Sequence, residues 1–219
     1  MGGGVVQVRI PGPIPVGLTV FETMRAEADG RIPLWPHHLA RLRLGCAATG
    51  FPLDEDRVTV VLAGLPRGKV LRARLSVDQA GRVAVTHAPL PPNPEFWRVI
   101  HSDLRLDATD PWLRFKTSHR PIYDAARARL PPDIDEALLS NGQGHLCEGT
   151  ITSIFLRRGD RFLTPPQSSG LLPGVLRGTL MADARAEEAL LTVDDLQNGH
   201  LYCGNALRGL IPALLVPAD

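Results

Sequence analysis

A short stretch near the middle does most to limit how this chain can fold. Pro89-Leu90-Pro91-Pro92-Asn93-Pro94 carries four prolines. Each proline fixes φ at about −65° and removes a backbone donor, so neither a helix interior nor a central strand can run through the segment. It reads as a semi-rigid connector, with a smaller part at roughly 1–90 before it. The 219 residues therefore make one large domain or two small ones, long enough to bury a core without a disulfide or metal staple.

The apolar content on either side, 44% of the chain, is ordinary for a globular protein. The 24 basic and 23 acidic residues leave a net charge of +1, which argues against nucleic-acid binding by bulk charge. Cys46, Cys147 and Cys203 lie far apart and form no CxxC, so no metal site or disulfide framework is expected, and a reducing cytoplasm fits. No apolar run reaches membrane-spanning length, and Met1-Gly2-Gly3-Gly4 carries no signal-peptide pattern.

Before the connector, residues 17–28 read as a strand, and Asp29-Gly30 as a turn into a hairpin partner at 31–34. Pro36 opens a helix that runs to Gly50, with Leu39, Leu42 and Cys46 at helical spacing. A second helix spans 54–64, and strands fall at 69–78 and 82–88. After the connector, 97–103 is extended and 121–130 is a helix opening at its proline. Short strands follow at 136–140, 144–148 and 151–157, then a helix at 174–190 and strands at 200–203 and 210–216. This order is a mixed α+β chain in two lobes.

The basic residues divide unevenly: all but two are Arg, the exceptions being Lys69 and Lys116. Arg stays protonated, whereas a desolvated Lys amine can become a nucleophile. Lys69 lies in a turn beside Pro66-Arg67-Gly68. Lys116 follows an apolar, aromatic run (Pro111, Trp112, Leu113, Phe115) and is flanked by Arg114 and Arg120, all of which disfavour its charged form. That environment suits a Schiff-base lysine, and equally a lysine snorkelling at a strand end. Glu148 sits among small and apolar neighbours, where a partly buried carboxylate needs a cationic partner, either an arginine or a protonated pyridine nitrogen. Gly174-Val175-Leu176 opens a helix whose free N–H groups suit a phosphate, and Gly204-Asn205-Ala206-Leu207 is a second loop of the same kind. Arg41, on the first helix, is either an anion ligand or a surface arginine. No GxGxxG after a strand, P-loop or GxSxG elbow occurs.

In order and spacing these segments resemble the class IV aminotransferases, the fold-type IV enzymes that use pyridoxal 5′-phosphate (PLP). Phe21-Glu22-Thr23-Met24-Arg25 resembles the family's F-E-T-x-R strand, and His38-Leu39-Ala40-Arg41-Leu42 its H-x-x-R-L helix. Lys116-Thr117 falls at the family's PLP lysine, and Glu148-Gly149-Thr150 through Phe155 at the segment holding the pyridine nitrogen. Thr164-Pro165 and Gly170 to Arg177 resemble its phosphate-binding segment, and Asn205-Ala206-Leu207-Arg208-Gly209 its N-S-L-x-G loop. Three departures stand out. Ser153 replaces a frequent Asn, Ala206 replaces a frequent Ser or Thr, and Tyr123 lies two residues beyond the spacing at which branched-chain enzymes place a tyrosine for the cofactor's 3′-oxygen. The first two would weaken cofactor retention.

The resemblance implies an α+β, two-lobed, D-amino-acid aminotransferase-like fold with PLP between the lobes. Its parts would be a small N-terminal α/β lobe at 1–90, a linker and the start of the second domain at 91–110, and a larger β-rich PLP-binding domain at 111–219. It makes Lys116 the catalytic Schiff-base lysine and Glu148 the partner of the pyridine nitrogen. Arg41, Gly174, Val175, Leu176, Asn205, Ala206 and Leu207 become cofactor ligands, and Thr23 and Arg25 substrate contacts. It implies a cytoplasmic homodimer acting on a small amino substrate. The short chain, the F-E-T-x-R strand and the N-A-L-R-G ending are most like aminodeoxychorismate lyases, which make 4-aminobenzoate and pyruvate. A transaminase of branched-chain or D-amino acids, and a catalytically weak relative or subunit, are the alternatives.

Overall fold

The computed structural model describes residues 9–197 and 199–217, so Met1-Gly2-Gly3-Gly4 lies outside the described residues. The chain divides into two compact units. The first comprises residues 1–90 together with Phe115–His119, and the second Pro91–Arg114 and Arg120–Asp219. The boundary thus falls within the proline connector: Pro89 ends the last strand of the first unit, and the second unit opens at Pro91. Phe115–His119 belongs with the first unit, although its position in the sequence places it with the larger part.

The first unit is a three-stranded antiparallel sheet in the order β1-β2-β3, with β1 at Thr19–Ala26, β2 at Leu71–Asp78 and β3 at Val83–Pro89. Two helices pack against it, α1 at Trp35–Thr49 and α2 at Glu55–Ala63. α1 starts with a proline in its first turn and ends on Gly50 in the left-handed conformation (φ 75°). α2 is capped by the Asp54 side chain, which accepts from Arg57 N–H at 2.8 Å. Alternation puts Val20, Glu22, Met24 and Ala26 on one face of β1, where all four are buried. The expected hairpin partner at 31–34 is not a strand. The Asp29 side chain instead binds Arg31 through backbone and guanidinium, which closes a local turn.

Residues 115–119 add to the edge of β1. Phe21 N–H donates to Lys116 O (3.0 Å), Ser118 N–H to Thr19 O (2.8 Å), and Thr19 N–H to Ser118 Oγ (2.9 Å). Val20 pairs with Thr117 in an antiparallel bridge.

The second unit is built on an eight-stranded mixed sheet with few helices. Its strands are β4 (Trp97–Leu106), β5 (Glu136–Asn141), β6 (Leu146–Gly149), β7 (Ser153–Arg158), β8 (Arg161–Thr164), β9 (Ala186–Glu188), β10 (His200–Asn205) and β11 (Gly209–Leu215). They lie in the order β6-β5-β4-β11-β10-β7-β8-β9. Pairing is parallel at β4/β5, β4/β11 and β8/β9, and antiparallel elsewhere. Three helices join them: α3 (Pro121–Ala128), α4 (Val175–Ala182) and α5 (Val193–Gln197). The expected helix at 174–190 ends early. Asp183 caps it, Ala184 turns with φ of 53°, and 186–188 becomes a strand beside β8. The sequence reading also omits β8, a four-residue strand too short to show a period. One core cluster gathers Val99, Leu138, Leu146, Ile154, Cys203 and Ile211 across the sheet, and another sets Tyr123 and Ala126 of α3 against Ala137, Leu139 and Cys147.

Candidate active site

The candidate residues fall on both units. In the first, Glu22 is fully buried on β1 and faces α1. His38 and Arg41 lie three residues apart on that helix, so their side chains share a face. Arg41 forms a fork with Glu22, Nε to Oε1 at 2.8 Å and Nη2 to Oε2 at 2.7 Å, and His38 Nδ1 lies 2.6 Å from Oε2. An ionised carboxylate only accepts, so the imidazole donates. Burial alone would raise the Glu22 carboxyl, but the charge and hydrogen bonds of Arg41, then those of His38, more than offset it and hold it at about 2. Arg41 is therefore a fixed cation, its side chain only 12% exposed.

The opposite face of the same sheet carries Lys116. Its Nζ lies 4.9 Å from the centroid of the Phe21 ring, and the Arg74 guanidinium stacks on that ring at 3.4 Å. Strand register places Thr23 opposite Arg74 and Arg25 opposite Arg72, all on the face of Phe21. Arg72 and Arg74 are exposed, and Arg25 pairs with Glu27 at 2.8 Å. The face that carries Lys116 thus displays three arginines.

In the second unit Glu148 lies on β6 and is 6% exposed. Its Oε1 accepts from the Tyr123 hydroxyl at 2.5 Å and from Leu172 N–H at 2.9 Å. Burial, followed by the adjacent Glu148 charge, pushes the Tyr123 phenol far up, so it stays a donor. The tyrosine that departs from the family's spacing therefore holds the glutamate. The Leu172 bond ties Glu148 to the loop that leads into α4.

α4 begins at Gly174, in an extended conformation with no side chain capping the helix. Its first-turn N–H groups have no intrahelical partner, which favours an anion. A Cβ at Gly174 would lie 2.5 Å from Ser153 Oγ, so the backbone needs glycine to approach β7 this closely. Ser153 pairs with Gly204 on β10, and α4 packs on β10. The turn after Gly204 is organised by Asn205, whose Oδ1 accepts from Leu207 N–H (3.1 Å) and Arg208 N–H (3.0 Å). Ser153, Gly174 and Asn205-Ala206-Leu207 are thus brought to one place, but Asn205 and the Leu207 amide are engaged with each other. Arg177 binds Pro165 O (2.9 Å) and Glu188 (2.5 Å), which fastens α4 to its surroundings. Burial, with the Glu148 charge, pushes the Cys147 thiol up to about 12, which disfavours the thiolate a nucleophile needs.

An uncapped helix start in a glycine cup, together with a buried carboxylate oriented by two donors, fits a phosphorylated pyridine. The sequence singles out Lys116, Glu148 and Gly174 as candidates but not Glu136, a carboxylate that accepts from Ala137, Thr150, Ile151 and Thr152. A Glu heading the otherwise apolar 136–140 strand is the signal that points to it.

A half-buried lysine on the edge of β1, and in the second unit a buried carboxylate beside a tyrosine and a glycine-cradled helix start, are features that a cofactor-dependent enzyme would use. The chain belongs to the class IV aminotransferases, whose family model matches residues 19–216. Fold-type IV PLP enzymes share its architecture, and the protein is a PLP-dependent enzyme acting on a small molecule. Among relatives, a Schizosaccharomyces pombe protein named "Putative aminodeoxychorismate lyase" is 27% identical over 199 residues, covering 86% of each chain. A Thermotoga maritima "Probable branched-chain-amino-acid aminotransferase" is 25% identical, covering 88% of this chain and 75% of its own. The crystal structure of a "Putative amino-acid aminotransferase" from Mesorhizobium loti is 39% identical with a TM-score of 0.87, covering 91% of this chain and all (100%) of the other.

Proposed function

We propose that this protein is a PLP-dependent lyase that splits 4-amino-4-deoxychorismate into 4-aminobenzoate and pyruvate. The observation that carries the reading is the arginine face of the first sheet. Arg25, Arg72 and Arg74 surround Thr23 on the face that bears Lys116. The substrate carries two carboxylates, one on the ring and one on the enolpyruvyl group. Several guanidiniums on one face suit two carboxylates better than the single carboxylate of a branched-chain amino acid. The name of the S. pombe relative points the same way.

In this reading Lys116 would hold the cofactor, and its free amine would take the proton from the amine-bearing carbon of the substrate. Loss of that proton expels enolpyruvate, which becomes pyruvate, and leaves the ring aromatic. PLP supplies an electron sink for this step. Glu148, oriented by Tyr123 and Leu172, would accept from the pyridine nitrogen and favour its protonated form. The first-turn amides of α4 at Val175 and Leu176, the Gly174 cup and the Asn205-Ala206-Leu207 turn would hold the phosphate, and the family resemblance adds Arg41 as a phosphate ligand. Thr23 and Arg25 contact the substrate. The resemblance to the family further supports a cytoplasmic homodimer.

A transaminase is the second reading, favoured by the 39% identity to the M. loti structure. Pyruvate release from 4-amino-4-deoxychorismate by the PLP-loaded protein, without any keto acid, separates the two. Sustained release over many turnovers is expected. No pyruvate, with loss of the visible PLP band on adding an L- or D-amino acid, would overturn the lyase in favour of the transaminase.

A further inference from the structure

Glu136 is 0% exposed and opens β5, every residue of which is buried. Burying a carboxylate is costly, and an apolar residue of similar size often serves stability as well. What distinguishes Glu136 is where its bonds go. Its Oε1 accepts from Ala137 N–H (3.0 Å), Thr150 N–H (3.0 Å) and the Thr150 hydroxyl, and its Oε2 from Ile151 N–H (3.1 Å) and the Thr152 hydroxyl (2.9 Å). Arg127 lies 3.4 Å from Oε1 and also donates to Thr150 Oγ1 at 2.9 Å. Burial pushes the carboxyl above its usual range, with Thr150, Ile151, Thr152 and Arg127 pulling it back.

The turn at 150–152 that Glu136 grips is the link between Glu148 and Ser153. Its outer groups are held as well: Arg120 donates to Thr150 O (2.5 Å) and Asn205 Nδ2 to Ile151 O (3.2 Å). Glu148, the Ser153–Gly174 cup and the Asn205 turn therefore all connect to three consecutive residues fixed by one carboxylate. Gly149 is part of the arrangement, since a Cβ there would lie 2.8 Å from Glu136 Oε2 and would also meet Thr152 Oγ1.

We propose that Glu136 is a positioning residue for the cofactor, setting the spacing between the carboxylate that meets the pyridine nitrogen and the cup that meets the phosphate. This rests on the reading that Glu148 and the α4 start hold PLP. Glu136→Gln tests it, because an amide keeps the shape but turns an NH2 toward one set of backbone donors. PLP affinity is read from the visible band on titration, and fold integrity from the melting of PLP-free protein. The expected result is PLP affinity weakened by about tenfold or more, at a PLP-free melting point close to wild type. Affinity equal to wild type, or a loss of affinity only in step with a loss of PLP-free stability, would overturn the proposal.

If Glu136→Gln does not fold, Thr152→Val removes one donor and Thr152→Ser restores it. Weaker PLP binding in Thr152→Val with recovery in Thr152→Ser is expected, and equal binding in all three proteins overturns the proposal. Wild-type protein that takes up no PLP would overturn the cofactor reading together with this one. Wild-type protein that takes up PLP but releases no pyruvate overturns only the lyase.

Discussion

Glu22 shows how much a single residue decides. Its carboxylate has no water contact and is matched by the Arg41 fork and by His38. Its folded value of about 2, against the ordinary 4.5, means that its contribution to stability is complete above 4.5 and is lost as pH falls toward 2. The contribution is on the order of 3 kcal/mol. Urea unfolding at a series of pH values should show Glu22→Gln less stable than wild type at pH 7, because the Arg41 charge loses its partner. The difference should shrink steadily between about pH 5 and pH 2. Parallel acid profiles for the two proteins would show that Glu22 does not carry this dependence.

The helix α4 is the element whose start matters most. Gly174 has φ of −64° and ψ of 136°, values open to alanine, so the obstacle to a side chain is Ser153 Oγ and not the backbone. Gly174→Ala should therefore cost little in PLP-free stability, about 1 kcal/mol, and weaken PLP binding about tenfold by pushing β7 away. Adding Ser153→Ala should recover part of the lost affinity, a coupling that a double-mutant cycle measures. Independent, additive effects would mean that the two residues do not share the cup. The element scale is also where sequence patterns reach least far. The segment 174–190 is helix-like throughout in its composition, yet the chain turns at Ala184 so that Ala186–Glu188 can pair with β8. A strand of three residues has no period to read, and its partner is 24 positions back in the register Phe162 to Ala186.

At the scale of the molecule, Lys116 travels with the first unit. Its segment leaves the second unit after Arg114, lines the edge of β1, and returns at Arg120. A ligand that binds only the folded protein stabilises it, by about 2.7 kcal/mol at a concentration 100 times its Kd. Saturating PLP should thus raise the melting temperature by roughly 5–10 °C for a chain of this size. Lys116→Ala should reduce that gain and abolish the covalently held visible band. An unchanged melting temperature in wild-type protein would rule out the cofactor site as described.

The sequence by itself determined the connector, the helix starts at Pro36 and Pro121, and the candidates Lys116, Glu148 and Gly174. Proline geometry, and the scarcity of lysine in an arginine-rich chain, are local properties that no packing can reverse. It also carried the family, because the spacing of short motifs survives where overall identity is low. Only the tertiary structure decided what those residues meet. Tyr123 turned out to hold Glu148, Asn205 to organise its own turn, and Glu136 to grip the 150–152 turn from a neighbouring strand. Each of these bonds joins residues brought together by strand pairing or by the path of a loop. A hydrogen bond depends on distances of a few tenths of an ångström that residue order does not encode.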